Sequence, residues 1–310
     1  MIEPRRHMPT QPANERIRNF DEVALGYTAK LAKDEADRCL NCKNAPCMSG
    51  CPVGVHIPDF IANVKQGNIQ GAYRVLKNDN NLAAICGRVC PQENQCEKHC
   101  VRKDKLGGSV AIGNLERYVA DQAIANGYDE RPQIVKIGKR VAVVGSGPAS
   151  LSCAADLARC GVDVTMYEAL HEAGGVLVYG IPEFRLPKAL VKKEIDKVRA
   201  LGVDIETNVV VGKTIFIEEL LFEYDAVFIG TGAGVPMLLK VKGENLNGVY
   251  SANEYLTRIN LMKAYQKDAI TPVKRGKNVI VVGAGNVAMD SARTALRMGA
   301  NVKLVLSLIH

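Results

Sequence analysis

The sequence predicts an α/β protein in which an all-helical N-terminal domain precedes Rossmann-like nucleotide-binding units. Three observations predict it. Eight of the ten cysteines lie between Cys39 and Cys100, in a loop-rich stretch with helical spacing and no convincing strand. A strand, a glycine turn, a helix and a second strand follow one another from Arg140 to Tyr167. The same pattern returns from Asn278 to Leu306, with its turn at Gly283, 138 residues after Gly145. Two such units suggest two nucleotide sites and not a short repeat array.

The N-terminal elements come first. Arg16 to Ala36 has patchy helical spacing. Ile57 to Val64 and Ile69 to Leu76 read as short helices separated by Gly67 and Asn68. Val110 to Ala125 reads as a longer helix with Ile112, Leu115, Val119 and Ile124 near one face. Asn126 to Gly138 has linker composition. In the first βαβ unit the strand Arg140–Val144 leads into a helix over Ala149 to Cys160, then a strand from Val162 to Tyr167. Cys153 and Cys160 fall on that helix and are expected to be small buried residues. The second unit repeats this with Asn278–Val282, a helix Val287 to Met298, and a strand from Asn301 to Leu306.

A chain of 310 residues suggests about two domains, or three small ones. Apolar residues make up 47%, enough for real cores, yet no run of about 20 apolar residues could span a bilayer. Met1 to Pro12 is polar and has no apolar h-region, so the expected location is the cytoplasm. The net charge of +7 could attract an acidic protein or an anionic cofactor. No run of five like charges occurs, so the plainer reading is a solvated surface of mixed sign, with no nucleic-acid or membrane partner.

Clustered cysteines in a cytosolic chain favour metal or redox chemistry over disulfides. Cys39, Cys42, Cys47 and Cys51 have the spacing C-x2-C-x4-C-x3-C-P, a variant of the ferredoxin run with a longer middle gap. Cys86, Cys90, Cys96 and Cys100 have the spacing C-x3-C-P-x4-C-x3-C. Two groups of four suggest two [4Fe–4S] clusters, because cluster iron takes soft, anionic thiolates. Structural zinc is the competing metal. It favours paired C-x2-C hooks, and only one is present.

The first turn reads Gly145-Ser146-Gly147-Pro148-Ala149-Ser150. Its first glycine makes the tight turn, and its second admits a pyrophosphate to a helix N-terminus. Ser150 stands where the pattern prefers Gly or Ala. Glu168, 23 residues after Gly145, is placed to bind ribose hydroxyls. The second turn reads Gly283-Ala284-Gly285-Asn286-Val287-Ala288 and fits the pattern throughout. No acid or arginine follows its second strand to distinguish NAD from NADP.

Five segments carry a resemblance to a known family. They are CLNCKNAPCMSGCPVGVHIPDFI from Cys39, CGRVCPQENQCEKHC from Cys86, VAVVGSGPAS from Val141, GGVLVYGIPEFRLPK from Gly174 and VIVVGAGNVAMD from Val279. Together they resemble the small-subunit type of NADPH-dependent glutamate synthase. Its module recurs in the N-terminal half of dihydropyrimidine dehydrogenase and in the flavin subunit of NADH-dependent ferredoxin:NADP oxidoreductase. The resemblance covers about Arg16 to Val305. It implies a two-cluster helical domain over 1–137, a Rossmann-like FAD domain over 138–275, and the start of a Rossmann-like NAD(P)H domain over 276–310.

The resemblance also implies site residues. Cys39, Cys42, Cys47 and Cys100 would hold one cluster. Cys51, Cys90, Cys96 and Glu116 would hold the other, which makes Cys86 a bystander where counting alone would select it. FAD would lie on Gly145, Gly147, Pro148, Ala149 and Ser150, with Glu168 at the ribose. Gly175, Leu177 and Arg185 would lie near the flavin and Val211 near the adenine, although a surface ion pair is the simpler role for Arg185. Gly283, Gly285, Asn286, Val287 and Ala288 would hold the NADPH pyrophosphate. No side chain is implied as an acid–base catalyst. Electrons would pass from NADPH through FAD and the clusters to the glutamate synthase large subunit, or to an equivalent electron-accepting flavoprotein, for glutamate formation from glutamine and 2-oxoglutarate. The alternatives are the flavin subunit of a ferredoxin:NADP oxidoreductase or sulfide dehydrogenase, and a non-catalytic cluster-binding fragment.

The sequence departs from that family at its end. Members continue well beyond this point and complete both nucleotide domains, whereas Ser307 to His310 fall where arginines for the NADP phosphate are usual. The expectation is a truncated reading frame whose product binds clusters but oxidises NADPH weakly or not at all.

Overall fold

The computed structural model describes residues 3–104, 107–128 and 133–306. The expectations about Ser307 to His310 lie outside the described residues. The chain forms two compact units, Met1–Gln11 with Ala24–Gln133 and Pro12–Val23 with Ile134–His310. The FAD and NAD(P)H stretches of the sequence reading fall within one unit.

A single helical turn, α1 (Ala13–Arg16), belongs to the second unit. The first unit is built from α2 (Ala29–Ala36), α3 (Pro46–Ser49), α4 (Ile57–Lys65), α5 (Ile69–Asp79), α6 (Ala83–Val89) and α7 (Ile112–Asn126). Local chemistry sets several of these ends. The Thr28 hydroxyl accepts from the Leu31 N–H and caps α2, and the Asn68 side chain accepts from the Gly71 N–H and caps α5. Gly127, at φ +66°, ends α7 in the left-handed conformation that glycine tolerates. Phe60, Ile61, Leu76, Leu115 and Val119 fill the core between helices. The patchy spacing from Arg16 to Ala36 resolves into α1 and α2 with a loop between them.

A buried ion pair organises the loop before α7. Arg38 Nη1 donates to Glu35 Oε1 at 2.6 Å, with both side chains fully buried. The same guanidinium donates to the carbonyls of Glu3, Gly107, Gly108 and Ser109. Glu35 in turn accepts from the backbone N–H groups of Arg6 and Ala111. Every charge in the pair therefore has several partners, as burial demands.

The second unit contains a parallel four-stranded sheet in the order β3-β2-β1-β4. Its strands are β1 (Arg140–Val144), β2 (Asp163–Glu168), β3 (Asp204–Thr207) and β4 (Ala226–Ile229). β1 pairs with β2 and β4 through Val141↔Val164 and Val141↔Ala226. Val141 to Val144 are buried, as expected of a central parallel strand covered on both faces. Besides α1, the helices of this unit are α8 (Pro148–Arg159), α9 (Val176–Tyr179), α10 (Lys188–Ala200), α11 (Ile217–Glu223), α12 (Ala252–Asn260) and α13 (Asn286–Arg297). A separate parallel pair, β5 (Asn278–Val282) and β6 (Asn301–Val305), flanks α13 in sequence. The helical N-terminal part and the parallel α/β part are the class that the sequence predicts.

Pro12–Val23 joins the second unit through long-range contacts. The Phe20 ring stacks on Tyr265 at 4.7 Å. The Val23 N–H donates to the Phe184 carbonyl, and Arg297 Nε donates to the Asn19 carbonyl. Cys160 departs from its expected burial. It caps the C-terminus of α8 and is exposed, while Cys153 is half-buried.

Lys188, at the start of α10, gives a pH signature. Its Nζ donates to the carbonyls of Ile181 and Leu186. Burial pulls its pKa down to about 8, with Glu183 and Asp290 opposing. The unfolded chain therefore binds the extra proton between about pH 8 and the ordinary lysine range, and stability rises with pH through that window. In Lys188→Met that rise is expected to flatten, as urea unfolding at stepped pH would measure. An unchanged slope would refute it.

Candidate functional site

The first cysteine site is lined by the loop after α2, by α3 and α4, and by the segment from Cys100 to the start of α7. Cys39, Cys42, Cys47 and Cys100 line one small open cavity together with Leu40, Pro46, Ile57, Ile61 and Arg102. These four come from both sequence groups and are the four that the family resemblance brought together. Burial raises the Cys47 thiol to about 11, with Cys39, Cys100 and Cys42 adding to it. Burial also raises the Cys39 thiol, against backbone hydrogen bonding and Lys65. Two thiols held neutral by burial beside two further cysteines suit a centre that takes all four as thiolates together.

The second site is built where α6 meets α7. Gly87 makes the close approach possible, because a Cβ there would lie 2.5 Å from the Arg117 backbone nitrogen. Glu116 is buried on α7, and its Oε1 accepts from Asn80 Nδ2 at 2.7 Å. Burial, then Cys86, raises its carboxyl well above the usual range, and Asn80 opposes them. Burial raises the Cys96 thiol to about 12, with Glu97, Glu116 and Cys51 adding to it. The Cys90 thiol is lowered by a hydrogen bond from Cys86, against burial, Glu116, Cys96 and Cys51. Cys51, Cys90, Cys96 and Glu116 thus feel one another, and Cys86 stands among them. Both candidate eighth ligands occupy the same site. Among the described residues no three His, Cys, Asp or Glu side chains converge on a point that would hold a single ion. The four ligands of a cluster each bind a different iron and stand further apart than that. The spacing of residues had no means of revealing Asn80 or Arg102.

In the second unit the first glycine turn takes the expected form. Gly145 has φ +92°, and a Cβ there would lie 2.6 Å from the Gly230 carbonyl at the end of β4. Gly147 caps α8, and Pro148 opens it. Ala149 and Ser150 follow in its first turn, where the buried Ser150 hydroxyl donates to the Gly230 carbonyl at 3.2 Å. A serine in the third position thus gains a partner that Gly or Ala would lack. Glu168 Oε2 accepts from the Ser146 N–H at 3.0 Å and from the Ser146 hydroxyl, and Oε1 accepts from the Leu170 N–H at 2.8 Å. The Ser146 hydroxyl accepts from the Gly174 N–H. These bonds use three of roughly four acceptor positions on a carboxylate, which leaves capacity for a ribose hydroxyl. Glu168→Gln would aim an amide N–H₂ at N–H donors, with an expected loss of about 2–4 kcal/mol. Thermal unfolding of the variant measures this, and an unchanged Tm would contradict it.

Gly175 caps α9, and Leu177 within α9 is buried. Arg185 Nη1 meets Asp290 Oδ2 at 2.6 Å, so its partner in the structure is a carboxylate of α13. Val211 bridges to Ile215 and packs with Ala142, Val144 and Leu220. Gly283, at φ +116°, precedes Gly285 at the cap of α13, where Asn286, Val287 and Ala288 form the first turn. Both glycine turns therefore present a helix N-terminus of the kind that takes a pyrophosphate.

Comparison with known proteins agrees with this layout. Residues 16–128 match the family described as dihydropyrimidine dehydrogenase domain II, 4Fe-4S cluster. The chain is 42% identical over 306 residues to the protein AegA of Escherichia coli K12, covering 96% of this chain and 46% of AegA. It is 39% identical over 295 residues to the glutamate synthase [NADPH] small chain of Halomonas elongata, covering 94% of this chain and 62% of that one. The Escherichia coli K12 glutamate synthase [NADPH] small chain is 37% identical over 298 residues, with 94% and 62% covered. The chain thus spans about half to three-fifths of the length of these relatives. Residues 139–308, more than half of the chain, match the pyridine nucleotide-disulphide oxidoreductase model. With its parallel sheet and paired glycine turns, the chain belongs to the pyridine nucleotide-disulphide oxidoreductase family.

Proposed function

We propose that this chain is the electron-input part of an NADPH-dependent glutamate synthase. Cys39, Cys42, Cys47 and Cys100 hold one [4Fe–4S] cluster, and Cys51, Cys90, Cys96 and Glu116 hold the other. FAD rests on the turn from Gly145 to Ser150 with Glu168 at its ribose, flanked by Gly175, Leu177, Arg185 and Val211. NADPH rests on the turn from Gly283 to Ala288. The convergence of Cys39, Cys42, Cys47 and Cys100 on one cavity is the observation that carries the reading. When bound, these groups supply hydride and single-electron transfer, while the protein binds and orients them.

The relatives named as glutamate synthase small chains support the assignment and point to a large-subunit partner that accepts the electrons. Among the described residues no helix is long and apolar enough to cross a membrane, which accords with a cytoplasmic location. Anaerobic purification of the chain followed by iron, sulfide and flavin analysis tests the reading. The expected result is about eight iron atoms with matching acid-labile sulfide, and one FAD. Stoichiometric zinc in place of iron would overturn it. NADPH-driven dye reduction, and its transfer to an added large subunit, then tests the activity.

A further inference from the structure

The two cysteine sites differ in the charges built around them. Among the described residues lining the first cavity, Arg102 carries the one fixed charge, and the rest of the wall is thiol or apolar. Arg102 is 7% exposed, and its Nη groups donate to the carbonyls of Arg38 at 3.1 Å and Glu3 at 3.4 Å. Lys65 Nζ donates to the Cys39 carbonyl at 2.8 Å, which places a second cation at a ligand's own backbone. The Val110 N–H donates to Cys100 Sγ at 3.4 Å. The second site has the opposite character. Glu116 is buried within it, and the buried Glu97 adjoins Cys96 in sequence with its charge engaged by Arg5 at 2.6 Å.

We infer that Arg102, with Lys65 and the Val110 N–H, holds the cluster at Cys39, Cys42, Cys47 and Cys100 at a higher reduction potential than the cluster at Cys51, Cys90, Cys96 and Glu116. Reduction adds one negative charge to a cluster. A buried guanidinium at the cavity wall favours that charge, in a medium that screens it poorly. Hydrogen bonds to ligand sulfur act in the same direction. An electron shared between the two sites therefore comes to rest on the Cys39 site. This rests on the cluster assignment proposed above and adds an order to it.

The test is a redox titration of the anaerobically prepared full chain, followed by electron paramagnetic resonance. Cys47→Ser identifies which signal belongs to the first site. In Arg102→Gln the midpoint of that signal is expected to fall by about a tenfold change in its reduction equilibrium, or about 59 mV for one electron. The other signal is expected to stay in place, and Arg102→Lys to recover most of the shift. Unmoved midpoints in Arg102→Gln with clusters retained would overturn the inference, as would a shift confined to the signal that survives Cys47→Ser. If Arg102→Gln does not fold, Lys65→Gln is expected to lower the same midpoint, and its failure to do so is equally decisive. Wild-type protein without iron and sulfide would overturn the cluster assignment itself. Wild-type protein with two clusters of equal midpoint would overturn only the ordering.

Discussion

Cys47→Ser is expected to halve the iron of the purified chain, from about eight atoms to about four, and to leave the second cluster signal intact. Cys47 shares its cavity with Cys39, Cys42 and Cys100, and a hydroxyl there neither ionises readily nor binds iron as a soft donor. The matching pair of variants separates the two candidates at the other site. Glu116→Ala is expected to lose the second cluster and keep the first, while Cys86→Ser keeps both. The same iron and sulfide analysis reads all three variants. Retention of both clusters in Glu116→Ala, with loss in Cys86→Ser, would reverse the ligand assignment. Glu116→Ala also removes the acceptor of the Asn80 bond at 2.7 Å, so some loss of Tm accompanies the loss of iron.

Gly145→Ala is expected to abolish flavin retention and to cost on the order of 3 kcal/mol of stability or more. The φ of +92° strains any L side chain, at about 1–3 kcal/mol. A Cβ at 2.6 Å from the Gly230 carbonyl would add a clash between β1 and β4 that neither backbone can relieve alone. Relief would displace the N–H groups at the start of α8, which are the groups proposed above to take the pyrophosphate. Flavin absorbance after gel filtration and thermal unfolding together measure the effect. Full flavin occupancy with an unchanged Tm would defeat the prediction.

Much of this was legible in the sequence because the informative signals are local. The first βαβ unit emerges within a residue or two of its expected bounds, since a turn such as Gly145-Ser146-Gly147 fixes where a strand stops and a helix starts. The same holds for α4 and α7, while α5 runs three residues past its expected end at Leu76. β3 was not read, because it has only four residues. Nothing near Phe20 announces that Pro12–Val23 belongs with Tyr265, Phe184 and Arg297, more than 160 residues away. At the sites, cysteine spacing located both groups, whereas the grouping of Cys100 with Cys39 needed family resemblance. Arg102 and Asn80 were invisible, since only the fold brings them to the thiols.

The Glu35–Arg38 pair also ties together distant parts of the chain at the proposed Cys39 site. Cys39 and Cys100 are 61 residues apart. Bringing such distant points together costs a free chain about 3–4 kcal/mol in loop closure, beyond a constant. Here side-chain contacts bear that entropy: Arg38 grips the carbonyls of residues 107–109 and Glu35 holds the Ala111 N–H, while the Val110 N–H reaches Cys100 Sγ. The proposed Cys39 site therefore has protein contacts of its own that tie the segment before Cys39 to the segment after Cys100.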